Sequence, residues 1–451
     1  MSLRRPVWAL HVLVVGLALH NLVMSQLWRA GVRGGALSTI SAWKDVLLAA
    51  ALVVVYWGLR GRPVRLTVCD WLALAFAAFV VVYGILPQSA LGGGATRSGV
   101  LYAARHDLLP VEAYLLGRGL ALTVAEQRSL IRTLLWTAAG VAAFGLLDVY
   151  FVSLEFWRHA AGWYVHQLGL VYRGLSGLPE NFVYNAGNNV VFRRLTSTFL
   201  SPLATAYLLV VALLVMSLRR RTSVLLGLLL FAALLWTHTR AALAALVVGL
   251  LVLAVLRRSF VPAVLALAVV VSGFVFVKGY SHFGPRTHFT ASELRIQEQH
   301  AQANPGVSND ATAANEASTS EHIRSLRDGL RTVFHHPYGF GLGNAGVTAA
   351  RTKVRLEAGE SSYTELAAET GIVGGLLFVA WSLVLLYRLL RSPPLAAAFA
   401  ATLFLGLQTD VIGIPWLAVV VWAIAGSAAY RLRPSRARAA SPSVTTSSIL
   451  A

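Results

Sequence analysis

The chain has 451 residues, 57% of them hydrophobic and only 13% charged, whereas charged residues alone make up about a quarter of an average soluble domain. That balance excludes an ordinary water-soluble fold, and a single cysteine, Cys69, excludes an internal disulfide framework and any multi-cysteine metal site. The net charge of +19 sits on too little soluble mass to build a nucleic-acid groove, so membrane phosphates are the fitting counter-charge.

The apolar residues fall in blocks that approach the roughly 20 residues needed to cross a bilayer. In chain order they are 7–25, 46–59, 69–86 and 130–154, then 198–218, 224–236, 241–256, 260–277, 366–390, 395–411 and 414–430. The segment 108–122 adds a span whose Glu112 and Arg118 face a polar interior. The pattern predicts an all-α polytopic membrane protein of about twelve transmembrane helices. The first block follows Arg4 and Arg5 as a signal peptide would, but no small-x-small cleavage pattern closes it, so it reads as an uncleaved first helix.

Short arginine-rich loops mark the cytoplasmic side. Arg60, Arg62 and Arg65 form one; Arg219, Arg220 and Arg221 another; Arg257 with Arg258, and Arg388 with Arg391, continue the alternation. Both termini are therefore expected in the cytoplasm. Residues 1–277 hold helices one to nine with an outside loop at 155–196, and 278–364 form a large extracytoplasmic loop between helices nine and ten. Residues 365–430 hold the last three helices, and 431–451 a disordered cytoplasmic tail. Within the large loop, 297–320 is Ala-, Asn-, Ser- and Thr-rich and reads as mobile. The apolar face of Ile323, Leu326, Leu330 and Val333 predicts an amphipathic helix over 323–334. A turn follows at His335, His336, Pro337, Gly339, Gly341 and Gly343; with no strand before it, it is not a dinucleotide-binding loop.

The outside loops keep cations that a positive-inside bias would remove, among them Arg158, Arg173, Arg193, Arg194, Arg240, Arg324, Arg327, Arg331 and Arg355. Binding a phosphate would retain them, since guanidinium offers planar bidentate donors. The plainer alternative is that they pair with Glu155, Glu180, Asp328 and Glu357 or meet lipid headgroups. Arg194 directly precedes an apolar run, and Arg240 ends the short turn Thr237, His238, Thr239, Arg240. Both can reach the membrane interface, where Arg240 is either a functional cation or a snorkelling anchor. Further on, Glu365 and Glu369 share one helical face, as general bases or as first-turn acids behind a Ser361 or Ser362 cap; Glu360 lies before the cap. His335 and His336 read as helix-end groups more readily than as acids or bases. No metal-ligand spacing occurs in these loops, so neither metal nor cofactor is expected.

Four segments resemble the bacterial O-antigen ligase and polymerase superfamily of membrane glycosyltransferases, over residues 192–375. Arg194 to Pro202 is similar to its Arg-x-x-Gly-x-Phe-x-Asn-Pro, and Thr237 to Arg240 to its Thr-x-Ser-Arg. His336 to Gly341 is similar to its His-Pro-x-x-Gly-x-Gly, and Glu360 to Gly371 to its His-Asn-Ser-Tyr-x-Glu-Leu-x-x-Glu-x-Gly. The resemblance implies a C-type glycosyltransferase-like helical fold in the bacterial inner membrane. It also implies inverting transfer of a glycan from a polyprenyl-pyrophosphate carrier to a glycan or glycolipid acceptor outside. In this sequence the motif's histidine falls on Glu360, its asparagine on Ser361, and Ser197 stands in place of a glycine. Arg194 and Arg240 are then expected to hold the pyrophosphate and Glu360 to take the acceptor's proton, with His322 or His336 as alternatives. Arg193, Arg324, Arg327, His322, His336, Tyr363 and Glu365 are expected to bind substrate. A transporter or flippase of lipid-linked oligosaccharides remains the rival reading; it calls for charges along a path to the cytoplasmic side.

Overall fold

The computed structural model describes residues 5–61, 65–168, 178–179, 181–185, 190–218, 223–303 and 317–431. Expectations resting on Arg4, Arg62, Arg173, Glu180, Arg219, Arg220, Arg221, residues 304–316 and the tail beyond 431 lie outside the described residues.

The apolar blocks become helices. The first part of the chain forms α1 (Val7–Arg29), α2 (Gly34–Ser41), α3 (Trp43–Leu59), α4 (Val68–Ile85), α5 (Arg97–Leu120) and α6 (Val124–Phe151). Side-chain caps set several starts: Thr67 with Asp70, and Thr123 with Glu126, each form a reciprocal capping box. The expected span at 108–122 is the second half of α5, which begins at Arg97. The described residues of the first long loop hold α7 (Leu154–Ala160), α8 (Gly162–His166), β1 (Val183–Asn185) and β2 (Val191–Arg193). Then come α9 (Pro202–Val215), α10 (Val224–Trp236), α11 (Arg240–Arg257) and α12 (Phe260–Phe283). The large loop contributes β3 (Arg286–Thr287), α13 (Ala291–Ala303), α14 (Ala317–His335) and α15 (Gly346–Thr352), and the chain closes with α16 (Ser362–Leu389), α17 (Pro393–Leu405) and α18 (Pro415–Arg431).

Seven helical segments among the described residues are long and apolar enough to cross a membrane: α1, the joined α2–α3, α4, α6, α11, α12 and α16. Four shorter apolar helices accompany them, at Pro202–Leu218, Val224–Trp236, Pro393–Leu405 and Pro415–Ala429. Phe260, Val261, Val264 and Leu267 of α12 are exposed, an apolar face that suits lipid. The molecule is a multi-pass α-helical membrane protein.

Small residues set the closest helix contacts, as expected where lipid supplies no hydrophobic drive between helices. α5 lies along α18; a Cβ on Gly117 would come within 1.9 Å of the Ala423 carbonyl oxygen, and one on Gly426 within 2.4 Å of Tyr114 O. α11 packs along α17, and α16 along α4.

Two features outside the helical body position the site. The strands form an antiparallel sheet in the order β1-β2-β3, pairing Val183 with Arg193 and Phe192 with Arg286, so the two long loops are stitched together. α7 is also clasped to α13: the Arg158 guanidinium donates to both Glu293 carboxylate oxygens, at 3.0 Å to Oε2. Burial pushes the Glu293 carboxyl up, but the bonds from Arg158 and Thr290 outweigh it and hold the group below the usual glutamate range.

Candidate functional site

The site is built in two halves, and the first is a clamp on a helix end. Residues 194–201 run inward from β2, pinned by Thr198 Oγ1 donating to Ala18 O (2.6 Å) and Asn21 Nδ2 donating to Phe199 O (2.6 Å). Ser197, in the place of the motif's glycine, has φ of 50°, the left-handed region that favours glycine; its hydroxyl donates to Val141 O (2.6 Å). Arg194 is buried, and its guanidinium donates to Thr237 O (2.9 Å), His238 O (3.2 Å) and Thr239 Oγ1 (3.1 Å). These are the groups left open at the end of α10. Arg194 therefore fixes the turn whose next residue, the half-buried Arg240, opens α11.

His238 lies within this clamp, at φ of 54°. Its ring stacks on Tyr184 of β1 with centroids 4.2 Å apart, and its buried Nε2 has no hydrogen-bond partner among the described residues. Burial first, then the charges of Arg194 and Arg240, push its pKa down to about 3, so the ring is neutral at physiological pH.

The second half surrounds a broken helix. α16 is interrupted at Gly371, whose φ of 74° and ψ of 174° are open essentially only to glycine. The turn after α14 fills the gap: Phe340 N donates to Ala368 O (2.7 Å), Gly341 N to Glu369 O (3.0 Å), and Ile372 N to Pro337 O (2.9 Å). Gly339, Gly341 and Gly343 all have positive φ, and a Cβ on Gly339 would sit 2.4 Å from Gly371 N. The glycine-rich turn is thus a plug for the break in α16.

The outer piece, 362–370, carries Glu365 and Glu369, both buried. Glu369 accepts from the backbone of Gly343 (2.9 Å) and Ala345 (3.3 Å), which makes it the anchor of the plug. Ser361 stands at the N-cap without capping; its hydroxyl donates to Gly406 O (3.0 Å), and Ser362 Oγ accepts from Val411 N (2.9 Å). The expected serine cap is thus replaced by tethers to the α17–α18 connection. Tyr363 packs inward and donates to Leu403 O (2.7 Å).

Ahead of this helix Glu360 is exposed at φ of 70°, and its carboxylate meets His322 Nδ1 of α14 at 2.6 Å. Helix α14, longer than the expected 323–334, lies on α16. His336 is held by Leu91 O (2.9 Å) and stacks on Phe340, and His335 Nδ1 bonds Arg331 O (2.8 Å).

Several expected phosphate cations have carboxylate partners. Arg193 is buried against Asp148 (3.2 Å), and Arg158, Arg324, Arg331 and Arg355 meet Glu293, Glu321 (3.3 Å), Asp328 (3.8 Å) and Glu357 (3.2 Å). Arg327 is exposed on α14.

A buried polar network went unnoticed in the sequence. His106 of α5 is held between two carboxylates, with Nδ1 at 2.8 Å from Asp107 and Nε2 at 2.8 Å from Asp410. Asp410 also accepts from Ile412 N (3.1 Å) and Gly413 N (2.9 Å), and Ser362 Oγ lies 3.3 Å from it. The His106-Asp107 pair just ahead of an apolar run, and Asp410 at the edge of another, were the available signals. Between the two halves the buried Tyr207 hydroxyl has no hydrogen-bond partner among the described residues, and Thr409 O accepts from Ser362 Oγ (3.3 Å).

Fold and site together define a multi-pass membrane protein with a clamped arginine turn and a plugged, broken helix. Residues 225–379 match the family model described as O-antigen ligase, a likeness that covers this part of the chain. The likeness fits a membrane enzyme acting on glycans. The match takes in the Thr237 to Arg240 turn, α14 and the break at Gly371; Arg194, His106 and Asp410 lie outside it. No curated protein matches the chain.

Proposed function

We propose that this protein is a glycosyltransferase of about twelve transmembrane helices in the bacterial inner membrane, with both termini cytoplasmic. It moves a glycan from a polyprenyl-pyrophosphate carrier to an acceptor sugar hydroxyl on the extracytoplasmic side, with inversion and without a metal. The observation that carries this reading is the Arg194 clamp. A guanidinium buried among backbone carbonyls fixes the turn that presents a second guanidinium, Arg240, at the head of a membrane helix.

A headgroup at that level leaves its polyprenyl tail in lipid while its charge faces Arg240 and the positive N-terminal end of α11. As the sugar leaves, negative charge grows on the pyrophosphate, and a fixed cation lowers that barrier because it need not reorganise. The acceptor sits beside Glu360, which receives its proton, directly or through the imidazole it holds.

The test is transfer in liposomes by the purified chain, supplied with an undecaprenyl-pyrophosphate-linked oligosaccharide and an oligosaccharide acceptor, with and without chelator. Chelator-resistant transfer that fails in Glu360→Gln is the expected result. Movement of the carrier-linked glycan across the bilayer without transfer would instead make the protein a transporter.

A further inference from the structure

We propose that α14 and the turn after it form a membrane-interface anchor: an exposed apolar strip sits in the headgroup region of an anionic lipid leaflet, and flanking arginines meet the lipid phosphates. The inference concerns what covers this helix and does not depend on the transfer reaction.

The level of α14 is set by α4. The 18 residues of Val68–Ile85 make a helix about 27 Å long, against a hydrocarbon core of about 30 Å. An apolar helix of that length has its two ends at the two faces of the bilayer. The turn after α14 touches one of those ends. Tyr83 Oη donates to Tyr338 O (2.7 Å), a Cβ on Gly84 would stand 3.6 Å from Leu342 Cδ1, and one on Gly341 would meet Gln88 Oε1 at 1.9 Å. Tyr338 and Phe334, 73% and 71% exposed, therefore stand where hydrocarbon gives way to headgroups, the level that aromatic rings favour.

α14 continues the strip. Ile323, Leu330 and Phe334, spaced i, i+7 and i+11, are exposed along one side of the helix. By the same spacing Arg327, Arg331 and Arg324 follow round one flank, and Glu321 and Asp328 lie nearly opposite the strip. The order apolar, cationic, acidic is the one a helix needs at an anionic surface, with its apolar side in the acyl boundary, cations at the phosphates and acids toward water. Arg324 with Glu321 (3.3 Å) and Arg331 with Asp328 (3.8 Å) are exposed pairs that contribute little in water, so either guanidinium can turn to a phosphate. A second copy of this chain would set the same arginine flank against a molecule of net charge +19, whereas a phosphate surface supplies the opposite charge.

The remaining face of α14 holds the motif segment. Ser325 Oγ donates to Gly359 O (3.0 Å), a Cβ on Gly329 would come within 2.9 Å of Thr364 Cβ, and Val333 is buried with Ala367 and Ala368. The helix thus lies between lipid and the residues around Glu360, and seating it in the leaflet steadies both.

The experiment uses the full chain in vesicles of phosphatidylethanolamine and phosphatidylglycerol. Leu330→Cys, Phe334→Cys and Asp328→Cys each take an environment-sensitive fluorophore; Cys69 is buried and is kept, with the wild-type chain labelled in parallel as background. Labels at 330 and 334 should be quenched by nitroxide-bearing lipids and protected from aqueous iodide, and the label at 328 quenched by iodide alone. Adding Arg327→Gln and Arg331→Gln should shift the balance away from lipid by roughly five-fold for each charge removed, read as lost lipid quenching at 330. Iodide access at 330 and 334 overturns the inference. So does protection there without lipid quenching, as a second protein copy would give, or lipid quenching indifferent to the two arginines.

Discussion

Replacing Gly371 with alanine tests whether the plugged break in α16 holds the site. At φ of 74° and ψ of 174° an alanine is in a region that costs about 1–3 kcal/mol. Its Cβ would also lie 2.7 Å from Pro337 O and 2.9 Å from Tyr338 C, and such overpacking adds about 1–3 kcal/mol. Against this stand the three backbone hydrogen bonds that seat the plug, from Phe340, Gly341 and Ile372, together contributing roughly 1.5–4.5 kcal/mol. The strain is comparable to these three bonds, while Glu369 keeps its own hold on Gly343 and Ala345, so the cheapest relief is to displace the 337–341 turn rather than unfold the bundle. Gly371→Ala is therefore expected to speed hydrogen exchange at residues 339–343 and to abolish transfer, while the protein still extracts as a folded species. Gly140→Ala is the control, since nothing lies within 4 Å of a Cβ there. Wild-type exchange and wild-type transfer in Gly371→Ala would refute the reasoning.

Arg194→Lys keeps the charge but cannot reproduce the fork onto Thr237, His238 and Thr239. Loss of one such charged hydrogen bond costs about 1.5–3 kcal/mol, roughly 10- to 100-fold in transfer rate if it is felt in the transition state. Arg194→Ala and Arg240→Ala should each abolish transfer with the protein still in the membrane; full activity in both would remove the pyrophosphate site. The α7–α13 clasp should be acid-labile. Because the folded Glu293 carboxyl is held below its usual range, its stabilisation is complete above the unfolded glutamate pKa and is lost as pH falls through the folded value. Limited proteolysis of the outer loops from neutral to acid pH should show this dependence, and Glu293→Gln should weaken it. In the helical body, Gly117→Leu puts a side chain where the Ala423 carbonyl already stands and should lower the thermal midpoint sharply, unlike Gly140→Leu.

Hydropathy located apolar helices, seven of them long enough to span among the described residues, because a bilayer demands long apolar runs whatever the tertiary context, and the spacing of Ile323, Leu326, Leu330 and Val333 disclosed α14. What stayed hidden depends on partners far away in sequence. α5 extends back to Arg97, and its His106 is held inside the protein by Asp410, a partner that no local pattern reveals. The break at Gly371 is silent because a glycine in an apolar run is ordinary, and only the inserted turn makes it a joint. Ser361 matches an N-cap signature, yet Gly406 takes its hydroxyl. The loop cations stand out in the sequence, but their partners do not, since Glu293 and Asp148 claim Arg158 and Arg193 from other elements.

The joint at Gly371 also separates two mechanical tasks. Below it, residues 372–389 form a shaft whose tilt must follow the thickness of the surrounding bilayer. Above it, residues 362–370 are tied to α14, to the plug and to the α17–α18 connection rather than to lipid. Thickening or thinning of the membrane can therefore be taken up by swinging the shaft about the glycine, while Glu360 and His322 keep their places beside one another.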